Sequence, residues 1–398
     1  MHEGYAGMGI SAMLAKYYTT TLVIGKSSKL KELQLKSQLI KQLLKYTFMA
    51  PSFDRRKFIK TTAVTGLGLG LIGNASPLFA KVQASTGKRV GIIGLDTSHS
   101  VDFTKELNAN DAPSEFGGYK IVAAYPQGSL DIESSVSRIP KYIEEVKKRD
   151  VEIVDSIPAL LEKVDVVLLE TNDGRQHLEQ ALPVLKAGKT LFIDKPISAS
   201  LADAIVIFEV AKHYKVPVFS SSSLRFMSSA QVVAKGKIGK VLGADAYSPC
   251  TLEKTHPDFF WYGIHGVELL YTVMGTGCKT LVRVHTDGTD VAVGTWNDGR
   301  IGTFRGTRTG QHLYGGTAYG EEGNTPLGPF EGYSSLLTEI IQFFQTGNAP
   351  VKKEDTLEIC AFMEAADESR RVNGGTVNLD EIWKRASKEA QKKLKELI

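Results

Sequence analysis

Cysteine is scarce in this chain: Cys250, Cys278 and Cys360 are the only three in 398 residues, far apart and without a C-x-x-C pair. That argues against a zinc ribbon and against a thiol redox motif, and the odd count leaves at least one thiol free or pairing between chains. No two histidines have the helical spacing of metal ligands, so no metal site is expected. The most apolar stretch of the amino-terminal region is too short and too rich in glycine for a stable membrane span. An internal repeat is also missing, and the one low-complexity tract is four serines at 220–223. Basic charge is lacking where nucleic-acid binding would need it. The formal net charge is +4, but residues 1–80 hold 11 of the 48 Lys/Arg and 3 of the 44 Asp/Glu, leaving residues 81–398 at −4. The basic excess belongs to the leader, so no nucleic-acid partner is expected for the body.

What is present is a soluble, two-domain composition, 42% hydrophobic and 23% charged, behind an atypical amino terminus. Asp54-Arg55-Arg56-Lys57-Phe58-Ile59-Lys60 resembles a twin-arginine export signal, followed by a Gly- and Ala-containing run at 61–73 and small residues suited to cleavage after Ala80 or Ala84. Residues 49–84 are therefore expected to direct the chain to the periplasm or outside, through transient contact with the twin-arginine machinery. Residues 1–48 form an extension of uncertain role. Met49 begins a signal of normal length by itself, whereas residues 30–46 are apolar and lysine-rich at helical spacing, as a membrane-surface helix would be. A G-x-G-x-x-G match at Gly68–Gly73 has no strand before it and lies in the segment expected to be removed.

The body begins with RVGIIGLDTSHS at 89–100. Val90, Ile92 and Ile93 read as a buried parallel strand, and Asp96, Thr97 and Ser98 are good caps for a following helix. This is a strand-to-helix turn of the dinucleotide-binding type in which Gly94 is the first glycine, Asp96 stands at the second glycine position and His99 at the third. Strand-like and helix-like runs then alternate to about residue 220, which predicts a doubly wound parallel sheet with its crevice beyond the strand carboxyl ends. Those ends fall at 94–98, 125–129, 170–173 and 194–196. From 221 to 375 longer strand-like runs (241–248, 280–285, 291–296 and 300–305) gather around one helix at 263–274. Helices at 333–345 and 357–371 follow, and a last one is expected within 376–398. The expected fold is α/β with a Rossmann domain at 88–220, then an α+β substrate and oligomerisation domain at 221–375 whose large, open, mostly antiparallel sheet suits a homo-oligomer.

Asp194-Lys195-Pro196 follows a strand directly at the crevice edge. A lysine half-buried beside a fixed turn can lower its pKa and act as an acid or donor to a substrate oxygen, although a surface lysine reads equally well. The VGIIG run at 90–94, TNDGRQHLEQALPVLKAGKTLFIDKP at 171–196, SLRFMSSAQVVAKGKIGKVLGADAY at 223–247, GIHGVELLYTVMG at 263–275 and FFQTGNAPVKKEDTLEICAFMEAADESRR at 343–371 occur in order. Together they resemble the Gfo/Idh/MocA superfamily of glucose-fructose oxidoreductases and inositol dehydrogenases. The resemblance implies a nicotinamide cofactor, NAD or NADP, and a sugar or polyol substrate.

Carried over residue by residue, it makes Lys195 and His265 the catalytic pair, with Asp194 in place of the usual glutamate. Trp261 and Glu268 replace the two aspartates that flank the family histidine, so His265 is expected to be either a weaker base or a substrate ligand oriented by another group. Gly94, Asp96, Thr97, Ser98, His99, Asn172, His177, Asp194 and Lys195 are the cofactor candidates. Arg225, His256, Trp261, Tyr262 and Glu268 are the substrate candidates, Arg225 also reading as a brace of the domain junction. After the second strand no acid occurs until Asp131, which leans away from an ordinary NAD ribose clamp. Three readings stay open: an exported sugar oxidoreductase with tightly held cofactor, a redox-neutral NAD-assisted glycosidase or epimerase, and a sugar-binding or scaffold protein that has lost its cofactor because Asp96 repels a pyrophosphate.

Overall fold

The computed structural model of the chain describes residues 87–398, so the export signal expected at 49–84 and the extension at 1–48 lie outside the described residues. Six short strands, β1 (Arg89–Ile93), β2 (Lys120–Tyr125), β3 (Glu152–Ile153), β4 (Val166–Leu169), β5 (Thr190–Ile193) and β6 (Val218–Ser220), form one sheet in the order β3-β2-β1-β4-β5-β6. Every neighbouring pair is parallel. That order is the doubly wound Rossmann topology, with its switch point between β1 and β4. All four residues of β4 and of β5 are buried, because helices cover both faces and leave no solvent side on which a polar residue could alternate.

The second sheet has seven strands in the order β12-β11-β7-β10-β9-β8-β13, where β7 is Val241–Pro249, β8 Cys278–His285, β9 Thr289–Trp296, β10 Ile301–Thr307, β11 Gly315–Gly320, β12 Gly323–Leu327 and β13 Val377–Asn378. Five of its six pairings are antiparallel, and β7 with β10 is parallel. The α+β class expected from the sequence is therefore present. Along β10 burial alternates, Gly302, Phe304 and Gly306 inward and Ile301 and Arg305 outward, as in a sheet covered on one face. The covering helices are Ile264–Met274 and Lys353–Arg371. Gly266 allows the first of them to ride close to the sheet, since a β-carbon there would collide with the Phe304 ring and stand 2.9 Å from Ser248 Oγ. The outer face carries Val284 and Ile301, both more than half exposed.

Packing does not follow the boundary expected at 220. The helix Ser334–Thr346 buries Leu336, Leu337, Ile340, Ile341, Phe343 and Phe344 in the same cluster as Val90, Ile92, Phe192 and Phe219 of the first sheet. The last helix, Leu379–Leu397, packs on Leu201–Tyr214, where Lys393 Nζ donates to Asp203 Oδ1 at 2.7 Å. Among the described residues no helix is long and apolar enough to cross a membrane.

Candidate active site at the sheet edge

The carboxyl edge of the first sheet and the covered side of the second enclose a cavity of about 550 Å³, within the size range of small-molecule and cofactor sites. Thr97, Ser98 and His99 line it from the turn after β1, and Asn172 and Lys195 from the ends of β4 and β5. Trp261, Tyr262 and His265 come from the second domain. Eight of the residues expected from the sequence thus meet in one place.

At the amino end of helix Ser98–Leu107, Thr97 is extended and no side chain caps the first turn. The first-turn amides are left for a ligand, and they suit an anion. Asp96 does not cap the helix as expected. It is fully buried and turned away: Oδ2 accepts from the Ser129 backbone N–H at 2.7 Å and from its hydroxyl at 2.8 Å, while Oδ1 accepts from Asn172 N–H at 2.9 Å. The carboxylate ties the turn after β1 to the loops after β2 and β4. Gly94 has φ +89°, and a β-carbon there would sit 2.5 Å from Thr171 N. Its role is the turn itself.

Lys195 is buried against the cavity, its Nζ 3.3 Å from Asp194 Oδ2. The sequence allowed a lowered lysine pKa. Burial does press it down, but the Asp194 carboxylate, with Tyr262 and Tyr333, more than offsets this, and the ammonium is held above its ordinary value. Lys195 is therefore a charged donor, not a neutral base. His265 behaves in the opposite way. Burial, then the nearby Lys195 and His99, push it well below the usual histidine range, so it is neutral at pH 7. Its Nδ1 lies 2.8 Å from Ser222 Oγ. That hydroxyl is the orienting group that the tryptophan at 261 cannot supply. The ring also stacks edge-on against Tyr262, centroids 5.1 Å apart.

The aromatic wall is set by a π-helical turn, Phe259–Gly263, which leads into helix Ile264–Met274. Such a turn widens the helix by one residue and is common at functional sites. Tyr262 and Tyr314 hydroxyls meet at 3.1 Å, and Phe330 and Tyr333 continue the wall.

Several expected site residues hold the frame instead of lining the cavity. His177 is fully buried, with Nε2 2.6 Å from Thr171 O and Nδ1 3.2 Å from Ile197 O. It anchors the loops after β4 and β5. Arg225 and Glu268, expected at the substrate, form a buried ion pair with each other inside the second domain, and Ser221 donates to Glu268 Oε1 at 2.9 Å. His256 stands 3.0 Å from Asp173 Oδ1, beside the Trp261 ring. Asp194 lies beneath the cavity floor. Sequence reasoning missed Ser134, Arg138 and Tyr142, which follow β2, and Thr251, Tyr314, Phe330 and Tyr333. Asp131, the first acid after β2, is held by Arg175, while Arg138 brings a cation to the cavity.

Residues 88–222 match the model of the Gfo/Idh/MocA oxidoreductase family, described as an NAD-binding Rossmann fold. The chain carries an NAD-binding Rossmann domain. A stretch of 113 residues is 26% identical to the uncharacterized oxidoreductase YhhX of Escherichia coli, covering 25% of this chain and 32% of that protein's length. Among solved structures, a probable dehydrogenase from Thermotoga maritima is 20% identical at a TM-score of 0.60, covering 74% of this chain and 99% of its own. The scyllo-inositol dehydrogenase of Lactobacillus casei, solved with NAD(H) and scyllo-inositol, is 17% identical at a TM-score of 0.59, with 73% and 99% covered. At these identities the likeness is one of fold, and it extends through both domains.

Proposed function

We propose that this protein is an NAD(P)-dependent oxidoreductase that removes hydride from a CH–OH group of a sugar or polyol. The observation that carries the reading is the meeting of an ammonium, a neutral imidazole and an uncapped helix amino terminus in one aromatic-walled cavity. Thr97, Ser98 and Asn172 would hold the dinucleotide, which supplies the hydride acceptor when bound. Lys195 donates to the oxygen whose negative charge grows as hydride leaves, and His265, neutral and steadied by Ser222, takes the hydroxyl proton. The aromatic faces of Trp261, Tyr262 and Tyr314 suit the apolar faces of a sugar ring. Arg138, together with the occupied Asp131, favours a 2′-phosphate over a bare ribose, and so NADP over NAD.

The reading includes export by the twin-arginine route, supported by residues 54–60, and self-association through the outer sheet face around Val284 and Ile301. Mass spectrometry of small molecules released from the purified protein, with binding of added NAD and NADP, tests the cofactor. Reduced-nicotinamide absorbance on adding sugars and polyols tests the reaction. Lys195→Met is expected to slow that reaction by about 10²–10⁴-fold with cofactor binding retained. A folded protein that neither contains nor binds NAD or NADP would overturn the proposal.

A further inference from the structure

Where His99 lines the cavity, three titratable side chains converge from three separate segments. His99 opens the helix after β1, Glu170 ends β4 and Asp194 ends β5, all buried, with their polar atoms within 4.8 Å of one another. His99 Nδ1 donates to Asp194 Oδ1 at 3.1 Å and lies 4.0 Å from Glu170 Oε2. Both Glu170 oxygens have no hydrogen-bond partner, and Asp194 Oδ2 has only the Lys195 ammonium at 3.3 Å. A buried carboxyl with both oxygens unpaired demands a proton or a cation, because an unpaired buried anion costs several kcal/mol.

We propose that Glu170 is kept as the neutral carboxylic acid, its proton directed to the Asp194 carboxylate directly or through one buried water, so that Asp194 remains the sole anion opposite Lys195. Glu170 is thus a positioning residue that acts on the lysine through Asp194. Charge counting favours a proton over a metal. With Glu170 neutral, Asp194 and the Lys195 ammonium cancel, whereas a divalent cation would stand beside that ammonium with only three protein ligands. The groups facing Glu170 agree: burial first, then the Asp194 charge, push its carboxyl far above the usual range, Lys195 relieves part of this and Asp96 adds to it. His99 faces it from the helix after β1, and Tyr333 covers the far side of the His99 ring, centroids 4.4 Å apart. Two ionised carboxylates here would lock the ammonium downward. One leaves it facing the cavity.

Infrared spectroscopy of the protein labelled with [¹³C]glutamate, wild type beside Glu170→Gln, tests this without any substrate. A protonated-carboxyl C=O band at pH 7 that moves on glutamate labelling and is lost at strongly alkaline pH is the expected result, with the band missing from Glu170→Gln. Metal analysis of the same preparation completes the test. Absence of a label-sensitive carboxylic-acid band, or a stoichiometric divalent metal that Glu170→Gln loses, would overturn the assignment. Neither outcome bears on whether the protein binds NAD(P), so the two proposals fail separately.

Discussion

Arg283 and Glu170 are equally buried, and they are wired in opposite ways. In the second domain Arg283 spends its whole guanidinium on carboxylates: Nε donates to Asp290 at 2.7 Å, Nη1 to Asp367 at 2.9 Å and Nη2 to Asp258 at 2.7 Å. Arg308 and His285 complete Asp290, and the guanidinium lies 4.2 Å from the centre of the Phe259 ring. This network joins β8, β9, helix Lys353–Arg371 and the residue that opens the π-helical turn. It fixes the aromatic wall. The cluster around Glu170 touches Lys195 through Asp194 and leaves both Glu170 oxygens unpaired. Buried polar groups in native proteins are nearly always satisfied, and exceptions collect where chemistry is done. The Arg283 cluster, which leaves Asp367 Oδ2 unpaired but spends every guanidinium nitrogen, therefore reads as scaffold, and the Glu170 cluster beside Lys195 as part of the site.

Substitutions can break this contrast. Arg283→Met should cost the most, about 3–5 kcal/mol, because it leaves Asp367 without its cation and Asp290 and Asp258 with only Arg308 and Arg370; urea denaturation measures it, and a loss near zero would contradict the scaffold role. His99→Ala should cost less, about 1–3 kcal/mol, since it takes one donor from Asp194 and leaves Lys195 in place; the same denaturation series compares the two. The smallest effect concerns pH. Burial, then the charge of Asp258, raise Asp367 to about 7, with Arg283 holding it down in part. A carboxyl raised in the folded state contributes stability that is full below its unfolded value near 4 and is lost as pH rises through about 7. Asp367→Asn should flatten the stability profile between those limits, and a slope unchanged from wild type would place the titration elsewhere.

The first sheet was legible because parallel strands buried on both faces read as apolar runs: VVLL at 166–169 and TLFI at 190–193 leave little choice. β11 and β12 were not. They contain Gly315, Gly316, Gly320 and Gly323 and carry few apolar side chains, so the pairing of β11 with β7 and of β12 with β11 is a tertiary effect without a local pattern. The π-helical turn also has no periodic signature. Lys195 and His265 were legible through their motifs, while the Lys195 charge state was misjudged, since a carboxylate one residue away outweighs burial. Glu170 was overlooked although a signal existed. Leu169 pairs with Ile193 across β4 and β5, so the next residue on each strand, Glu170 and Asp194, must be neighbours. Two acids closing adjacent parallel strands point to a shared pocket before any coordinates are seen.

The helix Ser334–Thr346 has a consequence in time. Its six apolar side chains cover a face of the first sheet that the ribosome finishes making long before them. At 5–20 residues per second, the roughly 120 residues between the end of that sheet and Phe344 represent roughly 6–24 s of synthesis. During that interval Phe192 and Phe219 lack their cover, and a nascent Rossmann half must wait, or be shielded, until the chain behind it emerges.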